Sequence, residues 1–445
     1  MQGQEHGRKN PFPVLGTAVS TIGNKRFHRL ETTVSYGGNE RFPIGELAFP
    51  YIGNANRTKY NQLKYKRSMK MKASNLWYGL LCMLAVSVSL SSCSDDNGNN
   101  DDDRDDTGSK VQLPQVRAFF LNEGSYNGNN AGISFYAPNG DADFISDIYS
   151  YQNDAKLGDT GQCMIEYEGE IYVAVYGSNY LAKLNSAGVE QQRLSFVTDP
   201  ELSAGIRYLA AEDGYIYASF WGGVVAKINA QTLKVESKLT GLGDNLEGVA
   251  ICKDMLYVAN SCTAEYVYHN EVKVIDLNTF SLKETLTVAE NPYTQMLEEN
   301  DKIFFISNDY SSIDGYVLQV IDPADNNKVT KIGYATYMAA DDDVLYLVNS
   351  MTDWSTQPYT TVNTFFTYNI KTGQTNNASF LKNAPAELAS STLHMLVVND
   401  DNGDIYIGTS DFTTNGTIYR FKKDGTFVEK FDAGGISPNS AVFFN

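Results

Sequence analysis

The chain has 445 residues, a formal net charge of −18 and an aromatic content of 12%, including 29 Tyr and 22 Phe. Such an excess of acidic groups disfavours nucleic acid and anionic membrane surfaces as partners, because both repel negative charge. The length is sufficient for one large repeat domain.

The first 92 residues differ in composition from the rest. Residues 1–68 carry 11 basic and 4 acidic groups and no regular hydrophobic pattern. Residues 69–92 run from a basic stretch through an apolar segment to small residues, which is the pattern of a secretory signal peptide. The apolar segment is too short to span a membrane comfortably. Because a signal peptide must be N-terminal, we expect translation to start at Met69 or Met71 and residues 1–68 to be a non-native upstream extension.

The sequence Leu-Ser-Ser-Cys that ends at Cys93 resembles the bacterial lipoprotein box, in which the cysteine is lipidated and becomes the new N-terminus. Residues 93–110 are acidic and poor in apolar side chains, which predicts a disordered tether. Acidic residues directly after such a cysteine resemble the export signal of surface lipoproteins in the Bacteroidota. The resemblance implies a lipid anchor in the outer membrane, facing the cell exterior. Without residues 1–92 the net charge is −27.

A short apolar run with an aromatic residue recurs every 40 to 60 residues in the remaining chain. Most copies follow an acidic or glycine-containing turn and precede a second run of alternating β-branched and aromatic residues, which indicates a hairpin. Repeats that form four short strands indicate a β-propeller, because stacked blades bury faces that a single sheet would expose. The aromatic positions are Phe119, Tyr172, Tyr217, Tyr257, Phe304, Tyr346 and Tyr406.

The sequence therefore predicts an all-β fold, a seven-bladed β-propeller over residues 111–445 with four-stranded antiparallel blades. Its first unit begins with the strand at residues 118–122 and lacks an innermost strand. The separate strand at residues 439–445 is expected to fill that gap, so that the C-terminal strand joins the N-terminal blade and closes the ring. The alternatives are an open sandwich and a pair of β domains.

Residues that catalysis usually requires are sparse. His269 and His394 belong to different predicted blades, and no closely spaced set of His, Cys and Asp suggests a metal site. Neither a nucleophile elbow nor a phosphate-binding glycine loop is present. The sequence thus predicts a protein that is not an enzyme and has no metal or cofactor. Cys163, Cys252 and Cys262 are expected to be buried strand residues, with a disulfide between the last two as the alternative.

Aromatic and amide side chains are concentrated in the predicted loops of one face. This face carries the loops between the second and third strands of each blade and the loops between blades. Aromatic platforms with nearby amides suit the stacking of a sugar, a nucleobase or a macrocycle, whereas packing between blades is the alternative use of the same rings. The candidate ligand-binding residues are Tyr126, Tyr176, Tyr180, Phe220, Trp221, Tyr266, Tyr268, Tyr310, Trp354, Tyr359, Phe412, Asn179, Asn260, Asp309, Arg207 and Tyr293.

The run Leu-Tyr-Val-Ala-Asn that ends at Asn260 and the run Val-Lys-Val-Ile-Asp-Leu that ends at Leu277 resemble the YncE-like seven-bladed propellers. Together with the lipoprotein box and the acidic tether, the chain is similar to surface propeller lipoproteins of the Bacteroidota. One such group, the BtuG type, captures vitamin B12 and passes it to a TonB-dependent outer-membrane transporter. The repeat is specific for the propeller, and no motif in this sequence identifies a corrinoid ligand.

The resemblance implies a cell-surface lipoprotein that captures a small-molecule nutrient on its loops and presents it to a transporter. A corrinoid is the sharpest hypothesis for the nutrient. An envelope protein that binds another protein through the same face is the second hypothesis. A propeller lyase or lactonase is the third, and the scarcity of histidine disfavours it because such enzymes need a metal or an acid–base pair.

Overall fold

The computed structural model describes residues 104–310, 314–353, 355 and 357–445. The predicted upstream extension, the signal peptide, the lipidation site Cys93 and the candidate residue Trp354 lie outside these ranges. The described chain consists mainly of β-strands and tight turns, with one short α-helix. None of its helices is long and apolar enough to cross a membrane.

The strands of the described chain form seven antiparallel sheets, arranged as blades. Blade 1 contains β1 (Arg117–Asn122), β2 (Gly132–Tyr136) and β27 (Pro438–Phe444). Blades 2 to 4 contain β3 (Gly161–Tyr167), β4 (Glu170–Val175), β5 (Tyr180–Leu184) and β6 (Glu190–Ser195); β7 (Ile206–Glu212), β8 (Tyr215–Phe220), β9 (Val224–Asn229) and β10 (Val235–Leu239); and β11 (Asn245–Cys252), β12 (Met255–Cys262), β13 (Tyr268–Asp276) and β14 (Ser281–Thr287). Blades 5 to 7 contain β15 (Leu297–Glu299), β16 (Lys302–Ser307), β17 (Val317–Asp322) and β18 (Lys328–Tyr334); β19 (Tyr337–Asp341), β20 (Val344–Asp353), β21 (Thr360–Asn369) and β22 (Gln374–Asn376); and β23 (Leu393–Val398), β24 (Ile405–Thr409), β25 (Thr417–Phe421) and β26 (Phe427–Asp432). Short 3-10 helices occupy Pro323–Asp325 and Ala386–Ala389.

Tight turns with positive φ join the first and second strands of several blades. In blade 3 the turn is Asp213-Gly214, with φ of 50° and 80°, and in blade 4 it is Lys253-Asp254, with φ of 53° and 60°. Two successive positive φ values give a turn whose twist matches that of the flanking strands. The repeat predicted around Tyr257 is confirmed as the second strand of its blade.

Strand β27 closes the ring of blades, as the sequence predicts. It lies antiparallel to β1, with Val442 opposite Phe119 and Ala441 opposite Phe120, and thereby becomes the innermost strand of blade 1. The innermost strands contact one another in the order β27, β3, β7, β11, β15, β19, β23 and again β27. The prediction of an all-β seven-bladed β-propeller is therefore confirmed.

Blade 1 departs from the predicted four-stranded pattern because it has three strands. The segment after β2 contains Pro138 and lacks alternating apolar side chains, so it forms no outer strand. A single bridge between Phe135 and Ile145 marks the place where that strand would pair. The chain then forms helix α1 (Ile148–Asn153), which is anchored because Tyr149 is buried.

Apolar clusters between neighbouring blades form the core. At the seam between blades 7 and 1, Tyr136 stacks on Phe431 with ring centroids 4.4 Å apart, and Tyr406 packs against Phe443 at 5.2 Å. Arg420 crosses the same seam and donates from Nη1 to the Tyr136 hydroxyl at 2.9 Å. The seam completed by β27 thus combines stacked rings with a charge-assisted hydrogen bond.

The three cysteines in the described part of the chain are buried and form no disulfide. Cys252 lies opposite Met255, whereas Cys262 lies opposite Asn245 at the other end of the β11–β12 pair. This separation excludes a disulfide between the two residues in this fold. The predicted buried strand cysteines are therefore confirmed, including Cys163.

The end of the predicted tether, residues 104–110, lies against the propeller. Arg117, which is buried, donates from Nη1 and Nη2 to the two carboxylate oxygens of Asp106, each at 2.8 Å. Ser186 donates to Asp106 Oδ1 at 2.9 Å, and Asn185 Nδ2 donates to the Thr107 carbonyl at 3.0 Å. The packed part of the chain therefore starts before the predicted boundary at residue 111, because a buried guanidinium requires an acidic partner.

Replacing Asp106 by Asn is expected to lower the free energy of unfolding by about 1–3 kcal/mol, because buried Arg117 loses its charge-assisted hydrogen bonds. Chemical denaturation measures the change. Asp154→Asn is the control, since Asp154 is 88% exposed where it pairs with Lys110, and its loss should amount to less than about 1 kcal/mol. Equal losses in the two variants would contradict the role assigned to Arg117.

Candidate functional site

Loops from neighbouring blades meet on one face of the disc, which we call the loop face. It carries the loops between the second and third strands of each blade and the loops between blades. Backbone hydrogen bonds join the two sets: Gly222 N donates to Asp244 O and Asn308 N donates to Asn291 O, both at 2.8 Å. The two loop sets that the sequence assigns to one face do lie together.

Five described tyrosines on the loop face are exposed. Tyr126 is 71% exposed and Tyr266 is 74% exposed. Tyr310 is 55% exposed, and its ring centroid lies 6.2 Å from that of Tyr268. Tyr359, in the loop between β20 and β21, is 52% exposed. Large apolar side chains grouped on a surface point to a binding role, so this face is the candidate site.

Tyr176 lies in the same set of loops, between β4 and β5. Burial raises the pKa of its hydroxyl to about 12, the Arg207 guanidinium opposes the rise, and Tyr126 and Tyr266 add to it. Tyr126, Tyr176 and Tyr266 all lie in loops between the second and third strands of their blades, so these residues of blades 1, 2 and 4 belong to one surface. The Tyr176 hydroxyl keeps its proton at neutral pH and can donate a hydrogen bond.

A buried ion pair adjoins Tyr176. Arg207 Nε donates to Glu247 Oε2 at 2.9 Å, and Nη1 donates to Gln162 Oε1 at 2.9 Å. The other Glu247 oxygen accepts from Trp221 Nε1 at 2.9 Å. The guanidinium lies 4.9 Å from the Tyr176 ring centroid and 4.7 Å from that of Trp221. We call these five residues the Arg207 cluster.

Bulges at the starts of the innermost strands place these polar groups. The register with the second strand shifts around Arg207 in blade 3 and around Glu247 in blade 4. A bulge leaves a residue outside the ladder and redirects its side chain. Similar shifts occur at Gln162, His394 and Asn439. All five side chains are buried, so several blades contribute a polar group at the loop-face end of their innermost strand.

Two candidate residues belong to the core and not to the loop surface. Phe220 is fully buried and packs against Phe196 with centroids 4.9 Å apart. Tyr180 is also buried; its hydroxyl donates to the Leu157 carbonyl, and Arg193 covers its ring at 4.0 Å. The prediction that Phe220 faces a ligand is corrected, because the alternation along β8 directs this fully buried ring between blades. The buried Tyr180 also forms part of the wall of a cavity, together with Ser178 and Arg193.

The amide candidates stabilise the loops. Asn179 accepts from Ile206 N and donates to the Leu202 carbonyl, both at 3.1 Å. Asn260 is fully buried and donates to Glu271 Oε2 at 3.3 Å. These side chains hold the backbone that carries the exposed rings, and their burial keeps them away from the surface.

The remaining candidates are partly accessible. Phe412 is half-buried with its ring centroid 5.6 Å from that of His394. Tyr293 and Asp309 are half-buried in loops of blade 5. Ring contacts thus join Tyr176 of blade 2 to Trp221 of blade 3 and Tyr268 of blade 4 to Tyr310 of blade 5, whereas Phe412 contacts His394 within blade 7.

Sequence reasoning missed two members of the site. Gln162 bonds to Arg207, and Tyr316 packs against Tyr310 with centroids 5.5 Å apart. The signal for Gln162 is a polar residue directly before an apolar run, a pattern repeated at Arg207 and Glu247. Tyr316 carries no comparable signal, because its contact depends on the conformation of a loop.

Glu212 lies on the face opposite the loop face, at the end of β7, and makes the free energy of unfolding depend on pH. Burial raises its pKa to about 7, and the negative charges of Asp213, Asp254 and Glu298 contribute. The folded state therefore keeps this proton between pH 4.5 and 7, where the unfolded chain releases it, so the free energy of unfolding falls as pH rises through this window. After screening of this half-exposed group we expect a fall of about 1–2 kcal/mol.

Glu212→Gln is expected to remove that pH dependence. Urea denaturation between pH 5 and 8, in a buffer free of divalent cations, measures it. Glu265→Gln is the control, since Glu265 is exposed in a loop. If the variant at Glu212 retained the full decline, the assignment of the decline to this carboxyl would be wrong.

The chain is only distantly similar to solved structures. No family model matches the chain, and no curated protein matches it. Among solved structures, the RRP9 WD40 repeats have a TM-score of 0.44 at 12% identity, covering 61% of this chain and 80% of that one. U3-55K has a TM-score of 0.43 at 12% identity, covering 61% and 81%, and BamB from Moraxella catarrhalis has 0.43 at 11%, covering 76% and 94%. The class of protein is a seven-bladed β-propeller, and likenesses this distant indicate neither ligand nor partner.

Proposed function

We propose that the protein captures a small-molecule ligand on the loop face. The grouping of exposed tyrosines on that one face carries this proposal. In blades 4 and 5, Tyr268 and Tyr310 form an exposed pair, and in blades 2 and 3 Tyr176 packs edge-on against Trp221 at 5.1 Å. Rings held in this way offer stacking surfaces, and their hydroxyls fix the orientation of a bound molecule.

The ligand that we propose is a corrinoid such as vitamin B12. A corrinoid is a large flat macrocycle with amide side chains, so it matches several separated tyrosines better than a single sugar or base does. The Arg207 cluster supports such a site indirectly, because the hydrogen bond from Trp221 to Glu247 and the contact of the Arg207 guanidinium with the Tyr176 ring fix the positions of these two rings. The resemblance to propeller lipoproteins of the BtuG type supports the same choice.

The cellular setting follows from the predicted lipid anchor at Cys93. A lipoprotein on the outer surface would meet the nutrient outside the cell and present it to a TonB-dependent transporter. The acidic tether would allow the loop face to turn towards that transporter. The tether would end near residue 104, because the chain packs against the propeller from there on.

Equilibrium titration of cyanocobalamin tests the proposal. The protein should start at or before residue 104, because Asp106 pairs with the buried Arg117. We expect saturable binding at micromolar or tighter affinity. Absence of binding at micromolar ligand would remove the corrinoid from the proposal.

A protein partner is the second candidate, and the shape of blade 6 favours it. Strands β20 and β21 each have 10 residues, whereas the equivalent strands of blades 2, 3, 5 and 7 have five or six. The resulting long hairpin carries the exposed side chains of Tyr359 and Val362. Capture of a stable protein partner that depends on this hairpin, without affinity for cyanocobalamin, would favour this function.

A further inference from the structure

Three potential metal ligands converge on the face opposite the loop face. Cys252 lies at the end of β11, Glu298 lies in β15, and Asp301 lies in the hairpin that follows β15. The Cys252 sulfur and one carboxylate oxygen from each acidic residue lie within 4.8 Å of one another. The group spans the interface between blades 4 and 5.

The buried thiol of Cys252 distinguishes this group from an ordinary acidic cluster. Cys252 is 4% exposed and forms no disulfide. Apolar residues of blades 4 and 5 surround the rest of its side chain, while its sulfur faces the two carboxylates. A thiolate beside two carboxylates is destabilised by their negative charges unless a cation lies between the three groups.

The surrounding charges also favour a cation. Asp254 lies in the β11–β12 hairpin and Asp213 in the β7–β8 hairpin of the neighbouring blade, so both add negative charge to this face. Lys253 opposes them by pairing with Asp301 Oδ2 at 3.2 Å, but both partners are at least half exposed. An exposed pair of this type contributes about 0–1 kcal/mol, so a divalent ion can displace the ammonium group.

We propose that Cys252, Glu298 and Asp301 bind a divalent cation of borderline softness, of which Zn²⁺ is the type. One thiolate and two carboxylates provide three ligands of the kinds that Zn²⁺ accepts, and water completes the tetrahedron on the exposed side of Asp301. Binding releases the thiol proton to solvent, and the sulfur electron pair forms the bond to the metal. The ion links blade 4 to blade 5, and the site is independent of ligand capture on the loop face.

Cobalt substitution tests the sulfur ligand directly. Titration of the purified protein with Co²⁺ should produce a thiolate-to-cobalt charge-transfer band in the near ultraviolet. Cys252→Ser should lack this band, while Cys163→Ser, which changes another buried cysteine, should retain it. Competition with Zn²⁺ should abolish the band in the wild-type protein.

A second variant separates metal binding from folding. Asp301 is exposed, so Asp301→Asn should leave the thermal midpoint nearly unchanged and weaken Zn²⁺ binding by about 10–100-fold. No charge-transfer band in the wild-type protein at equimolar Co²⁺ overturns the proposal. A band that persists in Cys252→Ser, or unchanged Zn²⁺ affinity in Asp301→Asn, overturns it as well.

Discussion

Deletion of residues 438–445 is expected to abolish the cooperative unfolding transition. The deletion removes β27, the innermost strand of blade 1, and with it the buried side chains of Val442, Phe443 and Phe444. Each such side chain contributes about 1.5–3 kcal/mol by burial, and loss of the strand also uncovers Phe119 and Phe120 on β1. The sum approaches the whole stability of a typical domain, which is about 5–15 kcal/mol.

Calorimetry and size-exclusion chromatography measure this effect. The deleted chain should lack a sharp transition and should associate, because β1 becomes an unpaired hydrophobic edge. A milder variant, Phe443→Ala, should cost about 3–5 kcal/mol. Val428→Ala on the outermost strand β26 is the control, since Val428 is exposed. A deleted chain that unfolds with the wild-type midpoint would show that the ring does not depend on closure by β27.

Glu247→Gln is expected to lower the free energy of unfolding by about 3–5 kcal/mol, because it leaves the Arg207 guanidinium buried without a counter-charge. Both residues are at most 2% exposed in their side chains. The same change weakens the hydrogen bond that Trp221 donates to Glu247. The loop face should therefore lose order around Tyr176 as well as stability.

A double variant separates the ion pair from its surroundings. Arg207→Met combined with Glu247→Leu should recover most of the lost stability, since apolar side chains of similar size often replace a buried pair without net cost. Asp325→Asn is the control, because Asp325 and Lys328 form an exposed pair. If Glu247→Gln costs no more than Asp325→Asn in denaturant titrations, the buried pair has no structural importance.

The architecture was predictable because its signals are local. The alternating side chains around Tyr257 and the turn at Lys253-Asp254 lie within about a dozen residues of one another, so a short stretch of sequence is enough to predict this hairpin. The missing outer strand of blade 1 shows the limit. The repeat predicts that strand, but the segment after Pro138 has no alternation and turns into helix α1 instead.

The candidate site was only partly predictable because its contacts are non-local. Exposure of Tyr126 and Tyr266 follows from their position in polar loops, whereas the burial of Phe220 depends on which face of β8 it occupies. The bond between Arg207 and Gln162 depends on bulges in two different blades. No spacing rule in a single sequence connects such residues, since neighbouring innermost strands are about a whole repeat apart.

The metal group illustrates the same limit. The pair Glu298 and Asp301 is close in sequence, but Cys252 is remote from both, so the set does not look like a metal motif. Only the stacking of blade 4 on blade 5 brings the three together. The prediction that the chain has no metal site therefore rests on local spacing alone.

The most direct test of ligand capture compares tyrosines on and off the loop face. Cyanocobalamin is titrated into the wild-type protein, into a Tyr266→Ser and Tyr310→Ser double variant, and into Tyr151→Ser, whose ring is exposed on helix α1 away from the loop face. We predict that the double variant binds about 5- to 150-fold more weakly, since each lost stacking contact costs about 0.5–1.5 kcal/mol, and that Tyr151→Ser binds like the wild type. Equal affinity in all three proteins, or no binding to any of them, would contradict capture of a corrinoid on the loop face.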